Sequence, residues 1–172
     1  FSDTNDLLNS AFFLPYLSGE RTPHNDPHIR GSFHSMKTTT NATNLQYAVI
    51  EGISFGILDG VNSILKVNNN FEKIFMVGGG SKSKFWIELL ASLLNRKLSV
   101  CDQSEFGAAL GVARLSMYVD KNIDTKENII KEINVSKSFN PNQDKIDLLL
   151  KRYNIWRDIY SSNKKIASNL LA

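Results

Sequence analysis

Three consecutive glycines, Gly78, Gly79 and Gly80, stand between an apolar segment and a segment with helical periodicity. Glycines at such a junction let the backbone turn sharply, and they leave backbone N–H groups accessible to a ligand such as a nucleotide. The stretch lacks both the GxGxxG pattern of dinucleotide folds and the GK[ST] ending of a P-loop. Taken alone, it leaves two interpretations open: a nucleotide-binding loop, or a tight turn at a corner of the fold.

The segments around these glycines predict an α/β domain in which helices cover a sheet. Residues 73–77 have the short apolar pattern of a buried strand, and Ser81 is expected to cap the helix that follows. The other expected elements are helices at 44–66, about 106–118 and about 143–171, a strand at 97–101, a loop-rich segment at 11–36, and an irregular segment at 120–142 with a short helix near 127–132.

The predicted helix at 44–66 carries an apolar stripe and three glycines at spacings of four. A glycine inside a helix costs about 1 kcal/mol relative to alanine. Gly52, Gly56 and Gly60 therefore indicate that something approaches the bare backbone, with a neighbouring helix or strand favoured over a ligand. The stripe expected to face the core comprises Leu45, Val49, Ile53, Ile57, Val61, Ile64 and Leu65.

Composition is that of an ordinary globular domain, with 42% hydrophobic and 22% charged residues, and 172 residues suffice for one domain with a core. No uninterrupted apolar run reaches the roughly 20 residues that span a bilayer, so no membrane partner is expected. The net charge of +3 comes without an aromatic and basic platform, which argues against a nucleic-acid partner. The single cysteine, Cys101, excludes an internal disulfide and favours a reducing compartment such as the cytoplasm.

All three histidines, His24, His28 and His34, lie in the proline-rich segment 11–36 and raise the question of a metal site. Pro27 disfavours the helix that would place His24 and His28 on one face. No HExxH pattern or cysteine pair accompanies them. We therefore expect no metal ligands in this chain.

Charged residues of the same segment lead to two further expectations. Glu20 and Arg21 are expected to form a buried ion pair that holds the proline-rich loop in place. Asp26 is expected to lie in an exposed turn, where a carboxylate is a poor choice for a catalytic base.

Four segments, in the same order, resemble motifs of the FGGY family of carbohydrate kinases. Residues 14–27 (LPYLSGERTPHNDP) resemble the segment that opens the latter part of the family's second domain. Within the family, their sequence is most similar to that of xylulokinases. Residues 31–51 resemble the second sequence motif, residues 78–83 the adenosine-binding loop, and residues 107–113 the last glycine- and alanine-rich helix. One position departs from the family pattern: Ser35 stands where glycine is usual, which puts the local backbone turn in question.

The resemblance implies an actin-like, ribonuclease-H-like fold in which two domains close on a cleft that holds Mg-ATP. It implies that Gly79 and Gly80 lie against adenosine and that Gly78 forms the turn. Ser81 and Ser83 belong to the same implied nucleotide-binding loop, with Ser83 at a position that contacts the purine in relatives. The implied cofactors are ATP and Mg²⁺.

The resemblance also implies what these residues do not contain. In the family, the phosphate hairpin (Asp-x-Gly-Thr), the sugar-binding segment and the catalytic aspartate all lie upstream of the position of Phe1. We therefore expect residues 1–172 to be the C-terminal part of the second, nucleotide-binding domain, with no catalytic residue and no sugar phosphorylation on their own. The expected ligands are ATP or ADP, and D-xylulose bound through the upstream domain. Monomer and homodimer both stay open.

Two alternative functions also stay open. One is another FGGY-type kinase, which acts on gluconate, ribulose or glycerol by the same mechanism, because the residues that select the sugar largely lie outside this chain. The other is a non-catalytic nucleotide-binding or interaction module of actin-like fold, which the glycine loop would serve equally well. The kinase-like sequence of residues 14–51 argues against this second alternative.

Overall fold

The computed structural model describes residues 11–67, 73–102, 104–119 and 134–170. They form two compact units. Unit 1 comprises the described residues of 1–70 and 143–172, and unit 2 those of 71–142, so that unit 2 is inserted into the chain of unit 1. Length alone predicts a single domain, since it carries no information about such an insertion.

The predicted helices and the two predicted strands are present close to their expected bounds. The described elements are β1 (Phe12–Leu14), β2 (Ser32–His34), α1 (Ala42–Leu65), β3 (Ile74–Met76), α2 (Lys84–Leu94), β4 (Leu98–Cys101), α3 (Gly107–Val119), β5 (Val135–Phe139) and α4 (Gln143–Leu170), with short 3-10 turns at Gly79–Lys82 and Ser104–Phe106. The short helix expected near 127–132 lies outside the described residues.

Strands β1, β2 and β5 lie in segments that we expected to be loop-rich or irregular, so the sequence-based prediction missed these three strands. β1 and β2 have only three residues each, too few to show an alternating pattern. β5 is largely exposed and polar, and therefore carries no apolar signal. Each is held by backbone pairing to a neighbour: β1 to β2 and β5 to β4, both antiparallel.

Helix α1 buries a different face from the one the apolar stripe predicts. In the predicted stripe, Ile57 is 37% exposed and Ile64 is 52% exposed. The prediction failed because it considered apolar residues alone, whereas the carboxylates of Glu51 and Asp59 are buried with partners. The buried residues of the helix are Asn44, Tyr47, Ala48, Glu51, Gly52, Ser54, Phe55, Leu58 and Asp59.

A buried ion pair joins α1 to α4. Arg152 donates from Nε to Oε1 and from Nη2 to Oε2 of Glu51, at 2.7 Å in both cases, and Glu51 is only 1% exposed. The hydroxyl of Tyr47 also donates to Glu51, and the guanidinium lies 4.3 Å from the centroid of the Phe12 ring. Burial raises the pKa of Glu51, while the contacts with Arg152 and Tyr47 oppose that shift. The pair therefore fixes the position of α4 along α1.

The expected ion pair between Glu20 and Arg21 is absent from the ion pairs of the described residues. Arg21 is exposed, and the carboxylate of Glu20 instead accepts a hydrogen bond from the backbone N–H of His24 at 2.8 Å. The Glu20 carboxylate therefore has a backbone partner within its own loop. The prediction of this pair was wrong.

Asp26 is also not exposed, contrary to expectation, because it ties the proline-rich loop to α4. Its Oδ1 accepts from the backbone N–H groups of His28 and Ile29 at 3.0 and 3.1 Å, and its Oδ2 accepts from the Tyr160 hydroxyl at 3.2 Å. Burial alone would raise the pKa of Asp26, but these donors outweigh it and hold the pKa below its ordinary value. Burial, with Asp26 as hydrogen-bond acceptor, raises the pKa of Tyr160 to about 12.

A third buried carboxylate, Asp59, links α1 to α4 and to the proline-rich loop. It accepts a hydrogen bond from the Tyr153 hydroxyl, and its other oxygen lies 3.6 Å from Nε2 of His24. Burial, together with Asp59, raises the pKa of Tyr153 to about 12. The His24 ring stacks on Tyr160 with 3.7 Å between centroids. Among the described residues, no cluster of three or more His, Cys, Asp or Glu side chains is placed to hold a metal.

Packing explains one of the three glycines of α1. A Cβ on Gly52 would collide with the carbonyl of Phe13 in β1, and a Cβ on Gly56 would lie 3.9 Å from Tyr16. A Cβ on Gly60 would meet no atom within 4 Å. The packing interpretation is confirmed for Gly52, where β1 approaches the helix backbone, whereas a methyl group on Gly56 would make only ordinary van der Waals contacts.

By length and composition alone, α1 could cross a bilayer, since it has 24 residues with a mean hydropathy of 1.4 over its most apolar window. Core helices of globular proteins pass the same test. Glu51 and Asp59 lie on its buried face and are paired there with α4. Those contacts identify α1 as the core helix of unit 1.

Unit 2 contains a three-stranded sheet in the order β3-β4-β5. β3 pairs with β4 in parallel, and β4 pairs with β5 antiparallel. Helix α2 packs on this sheet through Ile87, Leu90 and Ala91, which meet Leu98 and Val100 of β4 in one apolar cluster. This packing holds the segment between β3 and α2 at one edge of the sheet.

We expect Glu51→Gln to lower the free energy of unfolding by about 3–5 kcal/mol, because it leaves the Arg152 guanidinium buried without a charged partner. Urea unfolding followed by circular dichroism measures the change. Glu88→Gln is the matched control, since Glu88 and its partner Lys84 are 51% and 78% exposed. It should cost less than about 1 kcal/mol. Equal effects of the two variants would contradict the prediction.

Ser35 adopts a backbone conformation that favours glycine, the residue that the family resemblance leads us to expect there. Its φ is +59°, in the left-handed region that costs a non-glycine residue about 1–2 kcal/mol. Allowing for the extra chain entropy of glycine, we expect Ser35→Gly to stabilise the protein by about 0.5–1 kcal/mol. Ser116→Gly, inside α3, should instead destabilise it by about 0.5 kcal/mol. The same urea titration measures both, and a loss of stability in Ser35→Gly would count against this interpretation.

Candidate nucleotide-binding loop

The glycine loop, residues 78–83, lies where the sheet of unit 2 can receive a ligand. β3 and β4 are parallel neighbours, with Met76 opposite Val100, so their carboxyl ends lie at the same edge. β3 leads into the glycine loop, and β4 leads into the 3-10 turn Ser104–Phe106. In open α/β sheets, ligands bind in the crevice beyond the carboxyl ends of the strands.

Gly78 forms the turn that leaves β3. Its φ is +83°, a conformation that residues with a side chain rarely adopt. Its N–H donates to the carbonyl of Ser104 at 2.8 Å, which ties the loop to the segment after β4. The turn-forming role that the resemblance implies for Gly78 therefore has a direct backbone explanation.

Gly79 and Gly80 differ in their surroundings although they are adjacent. Gly79 is exposed, and a Cβ built on it would meet no atom within 4 Å. A Cβ on Gly80 would lie 2.6 Å from the ring of Trp86 and 3.1 Å from the Met76 side chain. Gly80 is therefore required by packing inside unit 2, whereas Gly79 presents open backbone to its surroundings.

The helix cap lies two residues further along the chain than we predicted. Ser83, with φ of −90°, is the N-cap of α2, and its hydroxyl oxygen accepts from the Trp86 N–H at 3.3 Å. Ser81 belongs to the 3-10 turn, where its hydroxyl donates to the Gly78 carbonyl at 2.7 Å. The prediction missed the additional turn because Ser81 and Ser83 are equally suitable caps by residue type.

Ser104 is the residue of this site that the sequence analysis missed. It is 8% exposed; its carbonyl accepts from Gly78, and its hydroxyl lies 2.8 Å from the Ser81 hydroxyl. Its position shortly after a strand parallel to β3 was a usable signal, since such segments meet at one sheet edge. Ser104 therefore holds the glycine loop at two points, through its carbonyl at Gly78 and through its hydroxyl at Ser81.

The loop can accept a ligand in two ways. The backbone at Gly79 allows a flat group to approach closely, because no side chain shields it. The start of α2 contributes the positive end of a helix dipole, and Lys82 and Lys84 are exposed beside it. Lys84 lies 3.6 Å from Glu88, so part of its charge is offset on the helix surface.

Comparison with known proteins agrees with this geometry. Residues 3–119 match the FGGY family of carbohydrate kinases, C-terminal domain. A xylulose kinase of Staphylococcus epidermidis is 34% identical over 164 residues, which cover 95% of this chain and 33% of that protein. The crystal structure of a xylulose kinase from Brucella ovis superposes with a TM-score of 0.79 at 32% identity, covering 91% of this chain and 32% of that one. A gluconate kinase from Lactobacillus acidophilus gives a TM-score of 0.70 at 28% identity, covering 88% and 31%.

The fold is therefore part of an actin-like α/β domain of the kind found in sugar kinases, as the sequence predicted. The chain belongs to the FGGY family of carbohydrate kinases, which confirms the resemblance drawn from its four motifs. It spans about a third of the length of the curated relatives that it matches, the first of them over 33%.

The three glycines should respond differently to the same substitution. We expect Gly78→Ala to cost about 1–2 kcal/mol because of its positive φ. Gly80→Ala should cost about 1–3 kcal/mol because the new methyl group overpacks against Trp86. Gly79→Ala, the matched control, should change stability by less than about 0.5 kcal/mol. Urea unfolding of each variant measures these differences. A cost at Gly79 equal to that at Gly80 would contradict the assignment of packing to Gly80 alone.

Proposed function

We propose that this chain is the C-terminal part of the nucleotide-binding domain of a xylulokinase, which transfers the γ-phosphoryl group of ATP to D-xylulose. The observation that carries the proposal is the open backbone at Gly79, at the carboxyl end of β3. Family membership supports phosphoryl transfer to a sugar. The 34% identity to the xylulose kinase of Staphylococcus epidermidis supports D-xylulose as that sugar.

In the proposed reaction, the O5 hydroxyl oxygen of D-xylulose forms a bond to the γ-phosphorus. The bond from that phosphorus to the oxygen bridging to the β-phosphate breaks, and ADP leaves. The hydroxyl proton passes to a carboxylate that lies outside this chain. The products are D-xylulose 5-phosphate and ADP.

In this proposal the chain positions the nucleotide and performs no bond-making step. Gly79 lies against adenosine and Gly78 shapes the approach, while Gly80 contributes only backbone because its α-carbon faces Trp86. Ser81 holds the loop through Gly78. Ser83 faces the purine with a hydroxyl that can still donate while it accepts from Trp86.

Mg²⁺, which offsets charge that develops on the phosphates, would be held by the nucleotide and by groups outside this chain. Mg²⁺ sites in kinases commonly combine phosphate oxygens with one or two carboxylates. The described residues contain no cluster of three ligating side chains. The family resemblance puts the phosphate hairpin and the catalytic aspartate upstream of Phe1, and on that ground we infer that residues 1–172 bind nucleotide weakly and do not phosphorylate sugar by themselves.

Gluconate is the second candidate substrate. The gluconate kinase of Lactobacillus acidophilus is 28% identical and superposes with a TM-score of 0.70, so the fold of this region is shared across sugar specificities. The assay that separates the candidates compares sugars on the complete polypeptide that carries residues 1–172. We expect kcat/KM for D-xylulose to exceed that for gluconate, ribulose and glycerol by at least about a hundredfold, and residues 1–172 alone to be inactive. A preference for gluconate would overturn the choice of sugar.

Nucleotide binding is tested by Gly79→Val in the same complete polypeptide. A valine side chain would occupy the space that adenosine needs, so we expect KM for ATP to rise by at least about tenfold, equivalent to about 1.4 kcal/mol. KM for the sugar should not change. Gly60→Val is the matched control, since Gly60 is also open but lies on α1. An unchanged KM for ATP in Gly79→Val would remove the loop from the nucleotide site.

A further inference from the structure

A cavity of about 440 Å³ lies within unit 1, between the proline-rich segment 11–36 and the second half of α4. It is large enough for a small-molecule ligand, since known ligand sites span roughly 300–1,000 Å³. All the residues that line it belong to unit 1, whereas the glycine loop belongs to unit 2. The cavity is therefore made by a different part of the chain from the proposed nucleotide site.

The titratable side chains that line the cavity are all basic. They are His28, Arg30 and His34, and no carboxylate is among the lining residues that the structure describes. An arginine is cationic at physiological pH, and an imidazole becomes cationic when it takes up a second proton. Asp26, the carboxylate in the same loop, already accepts from two backbone N–H groups and from the Tyr160 hydroxyl. The cavity therefore presents positive charge that no carboxylate in its lining offsets.

Arg30 is held so that part of its guanidinium is available to a ligand. Its Nη1 donates to the carbonyl oxygens of Pro27 and Ile29, at 2.8 Å in both cases. Those bonds hold the guanidinium against its own loop, and Nε and Nη2 have no hydrogen-bond partner among the described residues. Two neighbouring N–H donors of a guanidinium match two oxygens of a phosphate or carboxylate group. Arg30 is therefore positioned to bind an anion through two hydrogen bonds.

Hydrogen bonds between α4 and β2 hold His34 in place. Asn163 is 9% exposed, and its Nδ2 donates to Oγ of Ser32 and to the carbonyl of Arg30. Oγ of Ser32 in turn lies 2.7 Å from Nε2 of His34. This contact uses Nε2 and leaves Nδ1 for another partner. Asn163 therefore joins the two elements that form the cavity and fixes the ring of one of its basic residues.

The cavity also has an apolar side, which Ile166 and Ala167 of α4 provide. Burying apolar surface stabilises a complex by roughly 25 cal/mol per Å². An inorganic anion has no apolar surface to place there, whereas an anion with a short carbon chain does. The lining therefore favours an organic anion over a simple ion.

We propose that this cavity binds a small phosphate monoester. The phosphate group accepts hydrogen bonds from His28, Arg30 and His34, and the carbon chain lies on Ile166 and Ala167. A monoester fits three separate basic side chains better than a carboxylate does, because it has three terminal oxygens and carries up to two negative charges near neutral pH. This ligand site is additional to the proposed nucleotide site and does not depend on the proposed function.

Propyl phosphate is the probe, because it has a phosphate group and a short carbon chain but no hydroxyl groups for a sugar site to recognise. Its binding to the complete polypeptide that carries residues 1–172 is measured by titration followed with ³¹P NMR. We expect a dissociation constant below about 1 mM. Butyrate, which has the same propyl chain on a carboxylate, and inorganic phosphate should each bind at least about tenfold more weakly, as measured by competition with the probe.

Ile166→Asp tests the location of the site without removing a donor. It places a carboxylate in the lining, so we expect it to weaken binding of propyl phosphate by at least about tenfold. Ile155→Asp is the matched control, because Ile155 is also on α4 and is 47% exposed, against 57% for Ile166, but does not line the cavity. Both variants should retain the circular dichroism of the unsubstituted protein, since both positions are exposed.

Arg30→Gln tests the cation directly and should weaken binding by at least about tenfold. Arg21→Gln is its matched control, since Arg21 is an exposed arginine of the same proline-rich segment that does not line the cavity. It should change binding by less than about twofold. Because Arg30 also holds its own loop, the comparison of Ile166→Asp with Ile155→Asp decides the outcome if Arg30→Gln does not fold.

Three results would overturn the proposal. One is the absence of saturable binding of propyl phosphate. Another is binding of butyrate or inorganic phosphate as tight as that of the probe, which would remove the phosphate monoester as the ligand class. The third is equal weakening by Ile166→Asp and Ile155→Asp, which would place the bound probe elsewhere. Because the titration measures binding and not phosphoryl transfer, its outcome is separate from that of the sugar kinase assays.

Discussion

Unit 1 depends on one long-range interaction, the buried ion pair between Glu51 and Arg152. The two residues are 101 positions apart, and all of unit 2 lies between them in the chain. Bringing together the ends of so long a loop has an entropic cost, which contacts between α1 and α4 help to offset. The pair contributes geometry as well as energy, because two parallel 2.7 Å hydrogen bonds accept only one placement of α4 on α1. Trp156 reinforces that placement by donating to the carbonyl of Phe13 at 2.8 Å.

The same ion pair explains why the buried face of α1 includes two carboxylates among its apolar side chains. Once α4 supplies Arg152 and Tyr153, the carboxylates of Glu51 and Asp59 have partners, and the side of the helix that carries them can face inward. The apolar stripe predicted from the sequence then lies beside the buried face, where its residues are partly or largely exposed. Hydrophobic periodicity finds a buried face only where polar residues lack internal partners, and the partners here come from the far end of the chain.

The features predicted correctly are those encoded by neighbouring residues. Long helices, the strand before the glycines and the turn at Gly78 follow from patterns a few residues wide. The features that the prediction missed depend on distant segments. They are the ion pair between Glu51 and Arg152, which forms where none was predicted, and the hydrogen bond that Asp26 accepts from Tyr160. The hydrogen bond from Gly78 to Ser104 was missed for the same reason. The family motif identified the glycine loop because the residues of the motif are adjacent in the sequence. Their adjacency does not show which role each glycine has.

The fold itself requires two of the three glycines in the motif. Gly78 is required by its backbone angle, and Gly80 is required by the ring of Trp86. Both constraints would exist in a protein of this fold that bound nothing. Gly79 has neither constraint, so internal packing does not explain the absence of a side chain there. Structure accounts for two of the three adjacent glycines, which leaves Gly79 as the one whose open backbone is free for a ligand, and this is where we propose that the nucleotide lies.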